Sequence, residues 1–368
     1  MNACPKKAIH MEPDRQGFLY PVINTVKCVD CGLCKQSCQI GKARSVQNEE
    51  PSNCFGVKNS DCIRAVSSSG GVFTALLDKF IIGGSAAVDA VFDSEMNVVH
   101  KTANTRKECD AFRGSKYVQS DMGNIYKEVA DTLSSGQQLL FSGTPCQVAG
   151  LKEYIKAHRI DAARLLTVDL VCHGAPSPKI WADYISALEK KYHSDVETYT
   201  FRDKSVGWRG YHVRVSLADG RFIAQNTLTQ SFAIIFGKEV MLRPSCFYCP
   251  YASMGRCGDI TIGDFWGIEG VDRDFLDNKG ISMVLVNTPK GEKMFSAIRS
   301  GLNVKEYPSD VLTQPNLRKP TDFSLDYDAF WNDYDSKGYL YVAKKYGGYG
   351  IFRKFRYYKN AVKRKLMK

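Results

Sequence analysis

Four cysteines within twelve residues constrain this chain more than any other feature. In "KCVDCGLCKQSC" they fall at positions 28, 31, 34 and 38. Bacterial ferredoxins use this C-x2-C-x2-C-x3-C spacing, normally twice, and the fourth cysteine of each run ligates the other run's cluster. Only one run is intact here. Upstream, "MNACPKKAIHM" supplies Cys4, followed by Pro5 as the fourth cysteine of a first run would be. Cys4, Cys28, Cys31 and Cys34 therefore form one complete [4Fe–4S] set. Cys38, followed by Gln39, is left without a set, the alternative being a second cluster whose other ligands lie in a longer N-terminus. A four-thiolate zinc site is the alternative, but two x2 gaps followed by x3 suit a cubane better, because three close thiolates cap three irons.

The chain holds thirteen cysteines in 368 residues. No apolar run reaches the roughly 18 residues that span a bilayer, and no apolar stretch follows the first lysines as in a signal peptide. A cytoplasmic protein is expected, whose reducing surroundings favour metal thiolates over disulfides. For Cys54, Cys62 and Cys109 simple burial as small hydrophobes is expected. The formal net charge is +11, yet ten Lys or Arg and no Asp or Glu lie from Lys344 onward, which leaves +1 for the other 343 residues. A whole-protein nucleic-acid surface is thereby disfavoured. The tail mixes these cations with aromatics. It reads as a basic interfacial helix on anionic lipid at the inner face of the membrane, with an acidic partner or plain solvation as alternatives.

A second constellation lies far downstream. "RPSCFYCPYASMGRCGDITIGDFWG" carries Cys246, Cys249 and Cys257. The short apolar runs "QLLFSG" and "LLTVDLV" have the length of buried strands and lead into Cys146 and Cys172. Ligands of open α/β sheets gather at that carboxyl edge. Five thiols thus compete for four places. Cys146, Cys172, Cys246 and Cys249 are preferred and Cys257 is held in reserve, because it abuts the apparent strand "DITIGDF". His173 reads as structural.

Two loops have the chemistry to hold a phosphorylated cofactor. "SSSGG", including Ser68, Ser69, Gly70 and Gly71, opens a helix, whose free N–H groups suit phosphate. "FRGSKYVQS" adds Arg113, Gly114, Ser115, Lys116 and Tyr117, donors for a pyrophosphate or a reduced flavin. Gly143 and Thr144 stand beside Cys146. Arg202, Lys204 and Arg209 in "FRDKSVGWRG" are expected to receive an anionic substrate or a cofactor tail.

Strands alternating with helices predict an α/β core, a mixed sheet flanked by helices, with hairpins mixing the sheet and with a small N-terminal ferredoxin-like α+β domain. The expected divisions are 1–45, the ferredoxin-type unit; 46–150 and 151–330, the two parts of the core; and 331–368, the basic aromatic tail. Residues 46–65 read as loop, and a hairpin is expected around Asp219-Gly220.

Together, "SSSGGVFTALL", "RGSKYVQS", "LFSGTPCQVAGL", "DLVCHGAPSP", "FRDKSVGWRGY" and "RPSCFYCPYA…GDITIGDFWGI" resemble the coenzyme F420 hydrogenase/dehydrogenase beta-subunit family from Cys4 to about residue 300. The resemblance implies an iron–sulfur flavoprotein oxidoreductase with two [4Fe–4S] clusters and FAD (FMN being the alternative). It also implies an organic substrate or F420-type deazaflavin, and a redox partner such as ferredoxin or a hydrogenase/dehydrogenase subunit. Bacterial relatives that accompany surface-polysaccharide genes widen the substrate range beyond F420. The competing expectation is an electron-transfer subunit with no organic substrate of its own. The missing first half of the ferredoxin pair departs from the family pattern.

Overall fold

The computed structural model describes residues 1–224 and 226–350. Its centre is an eight-stranded sheet in the order β13-β3-β12-β11-β7-β6-β4-β5. The strands are β3 (Asn53–Lys58), β4 (Ala86–Phe92), β5 (Val98–Ala103), β6 (Leu139–Gly143), β7 (Leu165–Leu170), β11 (Ile260–Asp264), β12 (Ser282–Val286) and β13 (Asn303–Pro308). β4, β6, β7 and β11 run parallel. β5 on one side and β12, β3 and β13 on the other are antiparallel. The parallel centre follows from the sequence: "LLFSG" and "LLTVDL" are apolar on both faces, and both faces are covered. Helices Val72–Phe80 and Pro289–Arg299 bury residues on one face, and helices Ile125–Ser134 and Pro145–Ala157 on the other.

The sheet is mixed as expected, and one hairpin, β4 with β5, does mix it. The hairpin around Asp219-Gly220 forms, from β9 (His212–Leu217) and β10 (Phe222–Ala224), yet it pairs with β8 (Val196–Asp203) in a separate three-stranded sheet. The other antiparallel members of the large sheet, β12, β3 and β13, include pairs of strands distant in sequence. One of them, β3, lies inside the stretch read as loop. Its last five residues, "CFGVK", are buried, and Lys58 hides the period because its Nζ sits 4.2 Å from the Phe275 ring centre and pairs with Asp277 at 3.2 Å. The 150/151 division falls within helix Pro145–Ala157, and both parts of the core contribute strands to one sheet.

The N-terminal unit is a hairpin, β1 (Ile9–Pro13) with β2 (Leu19–Ile23), and two short helices. It is welded to the core. Asp14 Oδ1 accepts from the Gln16 and Phe18 amides, shaping a turn that drives Phe18 completely into the main core. Gly17 in this turn has φ +84°, and an added Cβ would strike Lys179. Tyr327 donates to Gln16 Oε1 at 2.9 Å and to the Leu242 carbonyl at 3.1 Å.

Of the expected tail, residues 331–350 are described. Helices Tyr327–Lys337 and Tyr339–Lys345 pack Phe330, Trp331, Tyr334, Tyr339 and Val342 into the core that also takes helix Pro178–Tyr192. Residues 351–368, which carry eight of the ten cations from Lys344 onward and the lipid reading with them, lie outside the described residues. Among the described residues no helix is long and apolar enough to cross a membrane.

Candidate functional site

The two thiol sets are built differently. In the N-terminal set, Cys28, Cys31 and Cys34 are exposed, and Cys4 is half-buried. Gly32, at φ +70°, turns the chain so that Cys34 enters the helix Leu33–Gln36. Cys4 Sγ accepts the Ala8 amide at 3.3 Å. The Met1 amino group brings two members of the set together. Burial lowers its pKa, while Cys4 and Cys34 beside it act in the opposite direction.

The second set converges from three separate places. Cys146 follows β6 at the start of helix Pro145–Ala157, Cys172 follows β7, Cys246 lies within the 3-10 turn Pro244–Tyr248, and Cys249 ends that turn. Burial chiefly raises the Cys172 thiol, and Cys246, Cys146 and Cys249 add to the effect, so all four lie within electrostatic reach of one another. Burial pushes Cys246 up to about 12, opposed by the Ala175 amide, which donates to its sulfur at 3.4 Å. Burial also raises Cys249, opposed by the Tyr251 and Ala252 amides. Thr144 Oγ1 lies 3.2 Å from Cys146 Sγ. Cys257, the reserve candidate, is buried, and Cys146 is only the last of the groups acting on it. Cys54 and Cys109 are buried as expected, whereas Cys62 is exposed. Among the described residues no group of three or more His, Cys, Asp or Glu is placed to hold a single metal ion.

A buried ion pair holds the second set's loops. Arg256, 1% exposed, uses its whole guanidinium. Nη1 donates to the Tyr251 and Ser253 carbonyls at 3.2 and 3.1 Å, Nη2 to the Leu170 carbonyl at 2.8 Å and to Asp169 Oδ1 at 3.3 Å, and Nε to Thr261 Oγ1 at 3.4 Å. Asp169 Oδ2 accepts the Cys257 and Gly258 amides, both at 2.9 Å. Asn48, just past the N-terminal unit, donates to the Arg256 and Gly258 carbonyls. One arginine thus ties the strand end before Cys172 to the loop after Cys249.

The two cofactor-type loops meet. Ser68 Oγ accepts from the Ser115 amide at 2.7 Å and lies 3.0 Å from Ser115 Oγ. Gly71, at φ +82°, caps helix Val72–Phe80. Other members of the expected set are occupied internally. Ser69 Oγ donates to the Ile281 carbonyl and the Gly70 amide donates to Ser282 Oγ, so both fasten the loop to β12. Lys116 Nζ lies over the carbonyls of Ala111, Phe112, Arg113 and Gly114. Burial lowers its pKa to about 8 against the pull of Asp89. It closes a turn and is not a free donor. Arg113 pairs with Asp110 at 3.0 Å, leaving its Nε buried without a partner. Gly143 and Thr144 lead into a capping box with Gln147.

The three cations expected to receive an anion are all engaged. Lys204 Nζ donates to the carbonyls of Arg64, Ser69 and Lys279, and Arg209 pairs with Glu269. Arg202 Nη1 pairs with Asp264 Oδ2 at 2.7 Å and donates to Tyr117 at 3.4 Å; Nη2 donates to the Trp208 carbonyl at 3.1 Å. Its guanidinium lies 4.9 Å from the Tyr211 ring centre and 5.3 Å from that of Trp266. Trp266 stacks on Trp208 at 4.7 Å and 8°. Tyr211 is 58% exposed, so this aromatic group opens to solvent on one side. His173 pairs with Glu239 at 3.2 Å. A cavity of about 340 Å³ lined by Trp181, Glu189 and Asp195 shares no residue with these groups.

Residues 136–310 match the family described as the C terminus of the coenzyme F420 hydrogenase/dehydrogenase beta subunit. That segment belongs to the coenzyme F420 hydrogenase/dehydrogenase beta-subunit family. The matched stretch is 175 of the chain's 368 residues. No curated protein matches it. Among solved structures, the xenon-derivatised F420-reducing [NiFe] hydrogenase complex from Methanosarcina barkeri is similar at 18% identity over 83% of this chain and 95% of the matched chain, with a TM-score of 0.48.

The family segment contains Cys146, Cys172, Cys246, Cys249 and Cys257, the Asp169–Arg256 pair and the Arg202–Asp264 pair with its aromatics. The N-terminal set and the loops at 67–71 and 112–120 lie outside it. Sequence reasoning missed the carboxylates. Asp89, Asp169 and Asp264 each interrupt or end an apolar run, in "AAVDAVF", "LLTVDL" and "ITIGD". A charge placed in a buried strand needs a partner, and that signal was readable. His100, both of whose ring nitrogens are buried without a hydrogen-bond partner, left no such signal. The Ser142 backbone lies beside the ring but outside hydrogen-bonding geometry.

Proposed function

We propose that the chain is an iron–sulfur flavoprotein oxidoreductase. In this reading Cys4, Cys28, Cys31 and Cys34 hold one [4Fe–4S] cluster and Cys146, Cys172, Cys246 and Cys249 hold a second. One FAD, with FMN as the alternative, lies along the Ser68–Gly71 and Arg113–Tyr117 loops near Gly143 and Thr144. The observation that carries it is the convergence of four thiols, from three separate stretches of the family segment, past the carboxyl ends of the parallel strands.

The donor chemistry fits. Tetrahedral zinc at about 2.3 Å from each sulfur draws its thiolates to within roughly 4 Å of one another, whereas a cubane accepts a wider set. Amides aimed at Cys4, Cys246 and Cys249 are the contacts that raise cluster potentials. The buried, unpartnered Arg113 Nε beside the Ser68–Ser115 contact fits an anionic group there, since a buried donor left unpaired costs about 1–3 kcal/mol. A flavin so bound exchanges electron pairs with organic molecules and single electrons with clusters. The chain's own residues place the two sides: Arg256 and Asp169 fix the thiol loops, and Tyr211, Trp266 and Arg202 offer a ring-stacking face to a small planar substrate. A deazaflavin of the F420 type is one such molecule.

Anaerobic purification with iron, sulfide and flavin analysis tests this. About eight irons and one flavin per chain are expected, and replacing Cys172 with Ser is expected to leave about four. Zinc in place of iron, or full iron in the Cys172→Ser variant, would overturn the assignment. Bound flavin that never turns over an added substrate would instead mark an electron-transfer subunit.

A further inference from the structure

The N-terminal unit has two very different sides. Ala3, Phe18 and Val46 are buried in the core. The other side is bare: every residue from Tyr20 to Cys31 is exposed. Val26 is 94% exposed, Val29 is 58% and Ile40 is 84%, far more than isolated surface valines and isoleucines require. Ile23 joins them at the end of β2, whose outer edge pairs with no strand among the described residues. In sequence, Ile23, Val26 and Val29 lie within a few residues of Cys28 and Cys31, and Cys28, Cys31 and Cys34 are the exposed members of the set.

The rim is cationic. Lys6, Lys7, Lys27 and Lys35 are exposed, and none forms an ion pair among the described residues. Asp30 is the acidic residue beside them, since Glu12 pairs with His10 and Asp14 is spent on its turn.

We propose that this face is the docking surface for an acidic, protein-borne one-electron carrier. The inference rests on the cluster reading above. An apolar centre over redox ligands with a charged rim fits a small transient interface, below about 1,200 Å². In such an interface charge sets the encounter rate more than the affinity. Each encounter moves one electron and no proton: the reduced carrier is oxidised as the N-terminal cluster is reduced. Two encounters supply the pair that one organic substrate takes up.

The test uses the full chain and a reduced acidic bacterial ferredoxin as probe, with stopped-flow reduction followed near 400 nm. The wild-type rate is expected to fall as salt rises. Lys27→Glu with Lys35→Glu is expected to lower it roughly tenfold or more at low salt. Val26→Asp is expected to lower it with the salt slope retained. Reduction of all variants by dithionite, which needs no docking, stays at the wild-type rate, and their iron and sulfide stay at wild-type content. Equal ferredoxin rates in wild type and variants, independent of salt, would overturn the proposal. So would a wild-type dimer that Val26→Asp turns into monomer, because a second copy would then be the occupant. A wild-type chain purified without iron would overturn the cluster reading itself, an outcome distinct from iron-replete protein that fails to discriminate.

Discussion

Replacing Arg256 with Met gives the sharpest test of how the second thiol set is held. Met keeps much of the volume and removes every donor. Five hydrogen bonds disappear, to Tyr251, Ser253, Leu170, Asp169 and Thr261. Asp169, 0% exposed, is left without its cation. Breaking a buried pair from one side costs about 3–5 kcal/mol. The three orphaned carbonyls are part of that loss and are not added again. At roughly 2–4 °C per kcal/mol for domains of this order of size, the melting temperature should fall on the order of 10 °C. The effect is also local. Leu170 stands two residues before Cys172, and Tyr251 two residues after Cys249, so both segments lose a common anchor. Under the cluster reading, iron should drop from about eight to about four per chain, the remainder being held by the N-terminal set. Arg256→Lys, which retains the charge but has three donors for five acceptors, should fall between. Thermal scanning under anaerobic conditions with iron analysis reads both effects. An Arg256→Met protein with wild-type melting and full iron would show that the loops hold themselves, and the argument from the guanidinium would fail.

Two further outcomes concern His100 and the glycines of the two loops. Burial lowers His100 to about 4, from 6.5. Between those values the unfolded chain binds a proton that the folded chain does not, so stability falls as pH drops below about 6.5. Relative to His100→Gln, wild type should lose about 1 kcal/mol between pH 7.5 and 5.5; urea midpoints that move in parallel would refute it. At Gly70 an added Cβ would meet the Val57 carbonyl and the Ser282 amide, both backbone, whereas at Gly114 it would meet nothing within 4 Å. Gly70→Ala should therefore cost about 1–3 kcal/mol or more through overpacking. Gly114→Ala should cost only the left-handed penalty of about 1–2 kcal/mol, and equal melting shifts would refute the difference.

What was legible in the sequence follows from how local each signal is. The parallel strands β6 and β7 were readable because burial on both faces leaves an unbroken apolar run. The approach of Cys146 to Cys172 was readable because β6 and β7 end at the same edge of the sheet, each followed by its cysteine; the place of Cys246 and Cys249 rested on their pair spacing alone. β3 was not readable, since its Gly56 and Lys58 owe their places to Phe265, Phe275 and Tyr307, residues more than two hundred positions away. The cations fared worst. Lys116, Lys204 and Arg202 have the residue types of an anion site, but composition does not say whether a cation meets a ligand or its own chain's carbonyls. Lys116 and Lys204 are spent on carbonyls and Arg202 on a carboxylate.

The least local feature is also the one that bears most on electron transfer. A ferredoxin-like unit reads as a separate domain, yet here its hairpin, its last helix and its linker all enter the core. Arg243 shows the consequence. Its guanidinium sits 4.2 Å from the Tyr20 ring centre and Nη2 donates to the Leu19 carbonyl at 3.1 Å, while its own carbonyl accepts from the Cys246 amide at 2.8 Å. Gln39 closes a second link: its amide donates to the Cys146 carbonyl at 3.4 Å, and its carbonyl accepts from Tyr251 at 3.3 Å. Each link joins a residue of the first thiol unit to a loop of the second. A unit held at both ends cannot swing, so the separation of the two sets is fixed by packing and not by diffusion of a tethered domain. Under the cluster reading, this makes the internal hop a property of the fold and leaves the encounter at the exposed Cys28–Cys34 face as the step that salt and surface charge control.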